Sequence, residues 1–278
     1  MLSECDVLLA FKFKGRAFPR AAILELPRLR WLQLASAGAD HVAPYDPSRI
    51  TVTNASGIHG AIMSEYVFGM LVHQMWDVPR LLRQQAEHRW ESYLVPSLVG
   101  RTIAVIGAGH IGTSIAARAR AFGLRVLAVR RSGRPVPEAD ETFQTDAIPE
   151  VVGRADIVVI TLPLTPDTRG CIDRDALERL KCTAYLINIS RGGVVDEEAL
   201  LDRLRRRPIA GAVLDVFQRE PLPSDSPFWA LPGVVVTPHI SSEVLGWPEA
   251  VARLFVDNLR RWTAGGALSH VVEPQLGY

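Results

Sequence analysis

Residues 102–122 read TIAVI, GAGHIG and TSIAARARAF in succession, and this stretch decides the fold. The first five residues are small or β-branched apolar residues, as in a buried strand, and the last ten suit a helix. Between them lie three glycines, which let the chain turn tightly from strand into helix: Gly107, Gly109 and Gly112. This order of elements predicts the first unit of a doubly wound α/β domain.

The overall composition is that of a globular protein of 278 residues, 48% of them hydrophobic. With 31 basic and 30 acidic residues, the net charge of +1 gives no sign of nucleic-acid or membrane binding. Three cysteines without a CxxC pair favour a reducing compartment. No apolar run approaches the ~18 residues of a membrane span, and Val7–Phe11 is too short for a signal-peptide core. We therefore expect a cytoplasmic protein with a small-molecule partner.

Short apolar runs alternate with helical patterns from residue 103 onward. Their continuous hydrophobicity predicts strands buried on both faces of a parallel sheet, and the segments between them are long enough for crossover helices. The predicted strands are Ile103–Ile106, Arg125–Val129, Ala155–Leu162, Ala184–Ile189, Ala210–Phe217 and Val234–Thr237.

The N-terminal part has a different pattern. It predicts strands near Asp6–Phe11, Leu29–Leu34 and Ile50–Thr53, then a long helix from Ala61 to about Trp90. We interpret this part as a second, smaller domain. One dense basic cluster follows later, and we interpret it as a solvated helix end rather than a binding patch: Arg203, Arg205, Arg206 and Arg207.

The glycine turn fits a bound dinucleotide. Gly107 permits the tight turn, Gly109 lets the backbone approach a pyrophosphate, and Gly112 lets helix and strand pack closely. The N-terminus of the helix, with His110 and Ile111, then faces the phosphate charge, so His110 would border the pyrophosphate. The alternative is a tight strand-to-helix turn that binds nothing.

The end of the second predicted strand bears on cofactor choice. An acidic residue there would hydrogen-bond the ribose hydroxyls of NAD, but the sequence has Arg130, Arg131 and Ser132. Two guanidinium groups and a hydroxyl can pair with a 2′-phosphate, which a carboxylate would repel. NADP(H) is therefore the preferred cofactor and NAD(H) a possible one. The alternative is a pair of ordinary exposed arginines.

Three polar residues follow strands of the second half: Arg191, Glu220 and His239. The strand carboxyl ends border the ligand crevice of an open α/β sheet, so these side chains should converge there. Arg191 would grip a carboxylate and polarise a carbonyl, and His239 would donate a proton. Glu220 would hydrogen-bond the imidazole, fix its tautomer and stabilise its proton-donating form.

Each of these residues also has a structural interpretation when taken singly. Arg191 could be a surface cation, Glu220 a solvated loop acid and His239 an interior histidine. Asp215, at another strand end, could contact a nicotinamide amide or simply face the crevice. The sequence gives no support for a metal site.

Five segments are the most specific in the chain: residues 34–41 (LASAGADH), the glycine turn, 161–168 (TLPLTPDT), 188–197 (NISRGGVVDE) and 237–241 (TPHIS). With these segments the chain resembles the D-isomer-specific 2-hydroxyacid dehydrogenase family, and the resemblance extends from about Asp6 to the end. It implies hydride transfer between NAD(P)H and a 2-oxo acid, with Arg191, Glu220 and His239 as the catalytic residues.

The resemblance also implies an architecture and further site residues. It implies a Rossmann domain over residues 59–245 and a flavodoxin-like α/β substrate domain formed by 1–58 and 246–278. Backbone amides at Ala37 and Gly38 would bind the substrate carboxylate. The further cofactor contacts would come from Pro163, Thr168, Ile189, Asp215 and Ser241. The segment from Ser64 to Trp90 resembles the family's dimerisation arm, which implies a homodimer.

Arg130–Ser132 is similar to the glyoxylate and hydroxypyruvate reductase members, which implies a small 2-oxo acid as substrate. One departure is that the chain starts almost directly in the strand near Asp6, so we expect a substrate domain shortened by about one βα unit. This departure motivates an alternative from another class: a dinucleotide-sensing binding protein with little or no dehydrogenase activity.

Overall fold

The computed structural model describes residues 2–11 and 18–274. The chain divides into two compact units. The smaller unit comprises Met1–His59, Pro163–Arg169 and Ser242–Tyr278, and the larger unit comprises Gly60–Leu162 and Gly170–Ser241. Residues 1, 12–17 and 275–278, which belong to the predicted substrate domain, lie outside the described residues.

A three-stranded parallel sheet forms the centre of the smaller unit. Its strands pair in the order β1 (Val7–Ala10), β2 (Trp31–Leu34) and β3 (Thr51–Thr53), and the short helix α1 (Arg20–Leu24) lies between β1 and β2 in the chain. All four residues of β2 are buried, as expected for a central strand. The three strands predicted for the N-terminal part are present, each slightly shorter than predicted.

The larger unit begins with two helices, α2 (Gly60–Met75) and α3 (Val78–Ala86). The prediction of one continuous helix from Ala61 to about Trp90 is therefore wrong. Asp77 adopts a left-handed backbone with φ +46°, and its side chain caps α3. Because Pro79 follows in the first turn of α3 and has no N–H to donate, the chain starts a new helix here.

A seven-stranded parallel sheet is the core of the larger unit. Its order is β10-β9-β8-β7-β4-β5-β6, where the strands are β4 (Thr102–Ile106), β5 (Arg125–Val129), β6 (Glu141–Phe143), β7 (Ile157–Ile160), β8 (Tyr185–Asn188), β9 (Gly211–Leu214) and β10 (Val234–Val236). The order reverses between β4 and β7, so the predicted doubly wound fold is confirmed. The sequence patterns missed β6, because its three residues, Glu141–Phe143, include only one large apolar side chain.

Four further helices belong to this unit: α4 (His110–Ala121), α5 (Ile148–Arg154), α6 (Arg174–Glu178) and α7 (Glu197–Arg206). Helix α4 buries Ile115, Ala116 and Ala119 in the same hydrophobic cluster as strand residues Ile103 and Val105. This packing holds the start of α4 directly after the end of β4.

The basic cluster at the end of α7 differs from its prediction at one residue. Arg205, Arg206 and Arg207 are exposed, as expected for a solvated helix end. Arg203 is fully buried, and its guanidinium donates to the carbonyl oxygens of Leu177 at 3.2 Å and Leu180 at 2.9 Å. Arg203 is therefore a buried cap for the end of α6 and not a solvated cation.

The last helix, α8 (Trp247–Thr263), returns to the smaller unit. Phe255 stacks on Trp31 of β2 at 5.3 Å between ring centroids, and buried Asn258 hydrogen-bonds Gln33. The helix thus covers one face of the three-stranded sheet. Within residues 2–11 and 18–274, no helix is both long and apolar enough to span a bilayer.

Candidate active site

The glycine turn joins β4 to α4 at the carboxyl edge of the large sheet. Gly107 has φ +109°, and a Cβ there would lie 2.8 Å from the Leu162 nitrogen. At Gly112 a Cβ would lie 2.4 Å from the Gly107 oxygen. Both glycines are therefore needed for the turn and its packing.

Gly109 differs from these two glycines. No heavy atom lies within 4 Å of the position that its Cβ would take, and its φ of −87° is open to any residue. It is the N-cap of α4, where no side chain caps the helix. The open space thus adjoins the positive end of the helix dipole, an arrangement that fits the pyrophosphate of a dinucleotide.

The residues predicted to bind a 2′-phosphate follow the neighbouring strand, β5. Ile106 of β4 pairs with Val129 of β5, so the turn that starts at Arg130 leaves the same edge as the glycine turn. The Gly133 N–H donates to the Arg130 oxygen at 3.0 Å, which closes this turn. Arg130 is half-buried, whereas Arg131 and Ser132 are exposed. These side chains fit a phosphate on the ribose that follows the pyrophosphate.

The three predicted catalytic residues follow β8, β9 and β10, and Glu220 and His239 are in direct contact. Glu220 Oε2 lies 2.8 Å from His239 Nδ1, and Glu220 Oε1 accepts the Phe217 N–H at 3.0 Å. The side chains of His239 and Glu220 are 28% and 33% exposed. A carboxylate can only accept, so Nδ1 carries the hydrogen and Nε2 is left for a substrate.

The surroundings of the Glu220–His239 pair favour the ionised form of the Glu220 carboxylate. Burial raises the pKa of Glu220, but the hydrogen bonds from His239 and Phe217 and the charges of His239 and Arg191 outweigh it. The net pKa lies below its usual value. Glu220 is therefore negatively charged at neutral pH, and Arg191 lies near enough to act on it.

Asp215 holds the backbone that carries His239. Its Oδ1 accepts the Thr237 hydroxyl at 2.5 Å and the Ile240 N–H at 2.8 Å, and its Oδ2 accepts the Ser241 N–H at 3.0 Å. His239 has φ +55°, a conformation that costs roughly 1 kcal/mol or more for a residue with a side chain. The fully buried Asp215 carboxylate offsets this cost by fixing the residues around His239.

A tyrosine of α2 extends this network. The Tyr66 hydroxyl lies 2.6 Å from the Thr237 hydroxyl. Because Thr237 Oγ1 donates its hydrogen to the carboxylate of Asp215, the Tyr66 hydroxyl is the donor to Thr237. Burial raises the pKa of Tyr66. The loop with His239 is thus tied through Asp215 and Thr237 to a helix of the same unit.

Other predicted cofactor residues lie in different settings. Ile189 is buried in the core cluster, so only its backbone can face a ligand. Ser241 is buried and its N–H donates to Asp215. Pro163 and Thr168 belong to the smaller unit, where Thr168 Oγ1 donates to the Pro163 oxygen at 2.5 Å.

The predicted substrate-binding loop with Ala37 and Gly38 follows β2 in the smaller unit. Asn54 Nδ2 donates to the Ala37 oxygen at 2.8 Å, and Ser36 Oγ donates to the Gly38 oxygen at 2.8 Å. Because C=O and N–H of a trans peptide point in opposite directions, the Gly38 N–H is directed away from Asn54. The loop therefore has a defined backbone that can present amide donors.

Sequence reasoning missed Tyr66, Thr237 and Glu197 in the larger unit and Asn54 in the smaller unit, each of which hydrogen-bonds a loop that carries predicted site residues. Thr237 and Glu197 stand within the quoted segments, next to residues that were singled out. Their polarity beside a strand end was the available signal. Tyr66 and Asn54 are distant in sequence from their partners, so no local pattern points to them.

Comparison with known proteins agrees with this geometry. The profile of the D-isomer specific 2-hydroxyacid dehydrogenase, NAD binding domain, matches residues 68–241. This chain belongs to the D-isomer-specific 2-hydroxyacid dehydrogenase family. It is an NAD(P)-dependent dehydrogenase of that family, and the expected resemblance is confirmed.

Individual family members match over most of the chain. A glyoxylate reductase of Korarchaeum cryptofilum is 31% identical, and the alignment covers 99% of this chain and 85% of that protein. A family member from Aeromonas salmonicida superposes with a TM-score of 0.88 and 36% identity, over 99% of this chain and 87% of that one. An NADPH-dependent glyoxylate/hydroxypyruvate reductase from Sinorhizobium meliloti, in complex with NADP and sulfate, has a TM-score of 0.84 and 28% identity, over 99% and 88%.

The chain of hydroxyls behind His239 predicts a coupled effect on stability. Thr237→Val removes a hydrogen-bond partner from both Tyr66 and Asp215, so we expect it to lower the free energy of unfolding by about 1–3 kcal/mol. Tyr66→Phe should cost about 1 kcal/mol. The double variant should lose less than the sum, by at least about 0.5 kcal/mol. Urea unfolding of the four proteins measures this coupling, and strictly additive losses would contradict the network.

Proposed function

We propose that this dehydrogenase reduces a small 2-oxo acid of the glyoxylate or hydroxypyruvate type to the D-2-hydroxy acid, with NADPH as its preferred cofactor. The observation that carries the proposal is the hydrogen bond between His239 and ionised Glu220 beside Arg191. These groups follow strands of the same sheet whose edge carries the glycine turn. The glyoxylate reductases among the relatives support the substrate class.

The three side chains have separate roles in this proposal. The Arg191 guanidinium binds the substrate carboxylate and polarises the adjacent carbonyl. His239 Nε2 donates a proton to the carbonyl oxygen. Glu220 holds Nδ1 and stabilises the imidazolium form before that transfer. Amides of Ala37 and Gly38 serve as further donors to the carboxylate. When bound, the reduced nicotinamide supplies the hydride.

Cofactor binding is assigned to the turns after β4 and β5. The backbone at Gly107, Gly109 and Gly112, with His110 and Ile111 at the start of α4, would hold the pyrophosphate. Arg130, Arg131 and Ser132 would hold the 2′-phosphate. The neighbour from Sinorhizobium meliloti, described as NADPH-dependent and bound to NADP, supports this choice. The further contacts to the cofactor would come from Pro163, Thr168, Ile189, Asp215 and Ser241.

Asp215 has a more specific role in this proposal than its sequence position suggested. Its carboxylate accepts three hydrogen bonds from the His239 loop. We therefore assign it mainly to the backbone of that loop. A contact with the nicotinamide amide would be an additional one.

Turnover and its dependence on His239 test the proposal. Wild-type protein should oxidise NADPH when given glyoxylate or hydroxypyruvate. His239→Gln should lower kcat by about 10²–10⁴-fold, because the proton donor is lost, and should leave the Kd of NADPH nearly unchanged. His73→Gln, a histidine of α2, is the matched control and should behave as wild type.

Two outcomes would contradict this assignment. Unchanged turnover of His239→Gln would remove His239 as proton donor. If NADPH binds tightly and no 2-oxo acid in a panel of short-chain acids is reduced, the protein is a dinucleotide-sensing binding protein instead.

Cofactor preference depends on the cations after β5. Wild-type kcat/KM should be higher with NADPH than with NADH. Arg130→Asp should lower kcat/KM for NADPH by about 10–100-fold, as expected for loss of a charged hydrogen bond of about 1.5–3 kcal/mol, and should spare NADH. Arg205→Asp makes the same charge change at an exposed residue of α7 and should alter neither value. A wild-type preference for NADH would refute the assignment.

We also propose that the protein is a homodimer that pairs through residues 76–99 of the larger unit. This segment exposes large apolar side chains, with Trp90 and Leu94 each 101% exposed and Val99 74% exposed. Isolated apolar side chains are common on surfaces, but several of them in one segment favour an interface. Residues 64–90, which overlap this segment, resemble the family's dimerisation arm, and this resemblance supports a second copy as the partner.

Sedimentation velocity at several concentrations tests the dimer. Wild type should sediment as a dimer, and Trp90→Ser combined with Leu94→Ser should shift it toward monomer, because the contact loses apolar area. Leu245→Ser changes an equally exposed leucine outside this segment and should leave the dimer intact. A monomeric wild type, or a double variant that stays dimeric, would contradict the proposal.

A further inference from the structure

We propose that Glu197 is a positioning residue for the reaction: its carboxylate fixes the loop that carries Glu220, and through Glu220 it holds the His239 imidazole in place. The inference rests on the proposed function, because it assigns Glu197 a role only if Glu220 and His239 act as described. It concerns two loops of the larger unit, residues 191–197 after β8 and residues 215–220 after β9.

The two loops are in direct backbone contact. A Cβ at Gly192 would lie 1.9 Å from the Phe217 carbonyl carbon and 2.2 Å from the Gln218 nitrogen. No side chain fits at this point, so the peptide after Arg191 lies against the peptide between Phe217 and Gln218. The loops that carry Arg191 and Glu220 pack on each other, so the positions of these two residues depend on one another.

Two hydrogen bonds, both donated by Gln218, join the two loops at this contact. Glu197 Oε1 accepts the Gln218 N–H at 2.5 Å. Gln218 Nε2 donates to the Val195 oxygen at 3.3 Å. Gln218 of the loop after β9 therefore donates both hydrogen bonds, one from its backbone and one from its side chain, to residues of the 191–197 loop.

Glu197 is available for this contact because its helix is capped by a different residue. It is the first residue of α7, and Asp196 is the N-cap, with its Oδ1 accepting the Ala199 N–H at 2.9 Å. An acidic residue in the first turn is stabilised by the helix dipole. Here the second acid, Glu197, extends away from its own helix to the neighbouring loop.

Consecutive N–H groups of the 217–220 loop are thus held by two carboxylates. The Phe217 N–H donates to Glu220 and the Gln218 N–H donates to Glu197. The first bond fixes Glu220 within its own loop, and the second fixes that loop to α7. Without Glu197, the loop keeps its internal bond and loses this external one.

The pKa of Glu197 reflects the nearby carboxylate of Glu220. Burial raises the pKa of Glu197, the Gln218 N–H lowers it, and the negative charge of Glu220 raises it, so that the net pKa lies above its usual value. Glu220 itself faces His239 and Arg191. The Gln218 N–H lies on the Glu197 carboxylate and offsets part of the repulsion between the two acids.

Three substitutions distinguish the effect of the Glu197 side-chain length on activity from the effect of its negative charge. Glu197→Gln retains an oxygen that can accept the Gln218 N–H, so kcat should stay within about threefold of wild type. Glu197→Asp keeps the charge and suits a helix N-terminus, but it is one methylene too short for the bond. It should lower kcat by about tenfold, as should Glu197→Ala, because Glu220 and His239 lose their alignment. The KM for NADPH should not change.

The separate effects on kcat and KM distinguish positioning from a general loss of structure. Glu220→Gln should lower kcat and leave the KM for NADPH near wild type, because the His239 imidazole loses the group that orients it. Glu197→Asp and Glu197→Ala should lower kcat by a smaller amount with the same unchanged KM, and Glu197→Gln should keep kcat near wild type. Glu198→Ala, an exposed acid of the same helical turn, is the matched control and should match wild type in every measurement.

The outcomes separate this inference from the function on which it rests. If His239→Gln and Glu220→Gln lose activity while Glu197→Asp and Glu197→Ala keep wild-type kcat, Glu197 is not a positioning residue and the proposed function stands. Equal losses in Glu197→Gln and Glu197→Asp would also overturn it. If His239→Gln and Glu220→Gln are as active as wild type, the proposed function fails and this inference with it. Because Asp suits the start of α7, the Asp variant gives the result even if the Ala variant does not fold.

Discussion

The parallel direction of all seven strands in the larger unit is the constraint on which the site depends. Parallel strands send every following loop to the same edge of the sheet. The glycine turn, the turn from Arg130 to Gly133 and the loops with Arg191, Glu220 and His239 therefore leave from one edge, although His239 lies 132 positions after Gly107 in the sequence. No local motif could bring these groups together.

Carboxylates that accept backbone N–H groups set the finer geometry at this edge. Asp215 accepts from the residues after His239, Glu220 accepts from Phe217, and Glu197 accepts from Gln218. A charged acceptor makes a stronger hydrogen bond than a neutral one, so each acid can hold a loop that has no regular secondary structure. Glu220 also places negative charge beside His239, so this acid serves both the backbone and the chemistry.

The sequence predicted the framework of this arrangement better than its details. The glycine turn and the apolar runs sufficed for six strands of the large sheet, because burial on both faces leaves a strong pattern. They failed at β6, whose residues Glu141–Phe143 form no apolar run, and at Asp77, where a capping signal with Pro79 outweighs the helical pattern on both sides. The identities of Arg191, Glu220 and His239 pointed to the chemistry, but only the structure shows the contact between Glu220 and His239.

The polar residues missed by sequence reasoning share a physical property. Tyr66, Asn54 and Glu197 each act on a backbone or side-chain group that is distant in the chain or belongs to another loop. Such partners are chosen by the packed fold, and periodicity carries no information about them. His239 shows the consequence most clearly: its left-handed backbone is unfavourable by itself and persists because Asp215, 24 residues earlier in the sequence, holds both N–H groups that follow it. The alignment of the proton donor is therefore a property of the sheet and its loops, and not of the TPHIS segment alone.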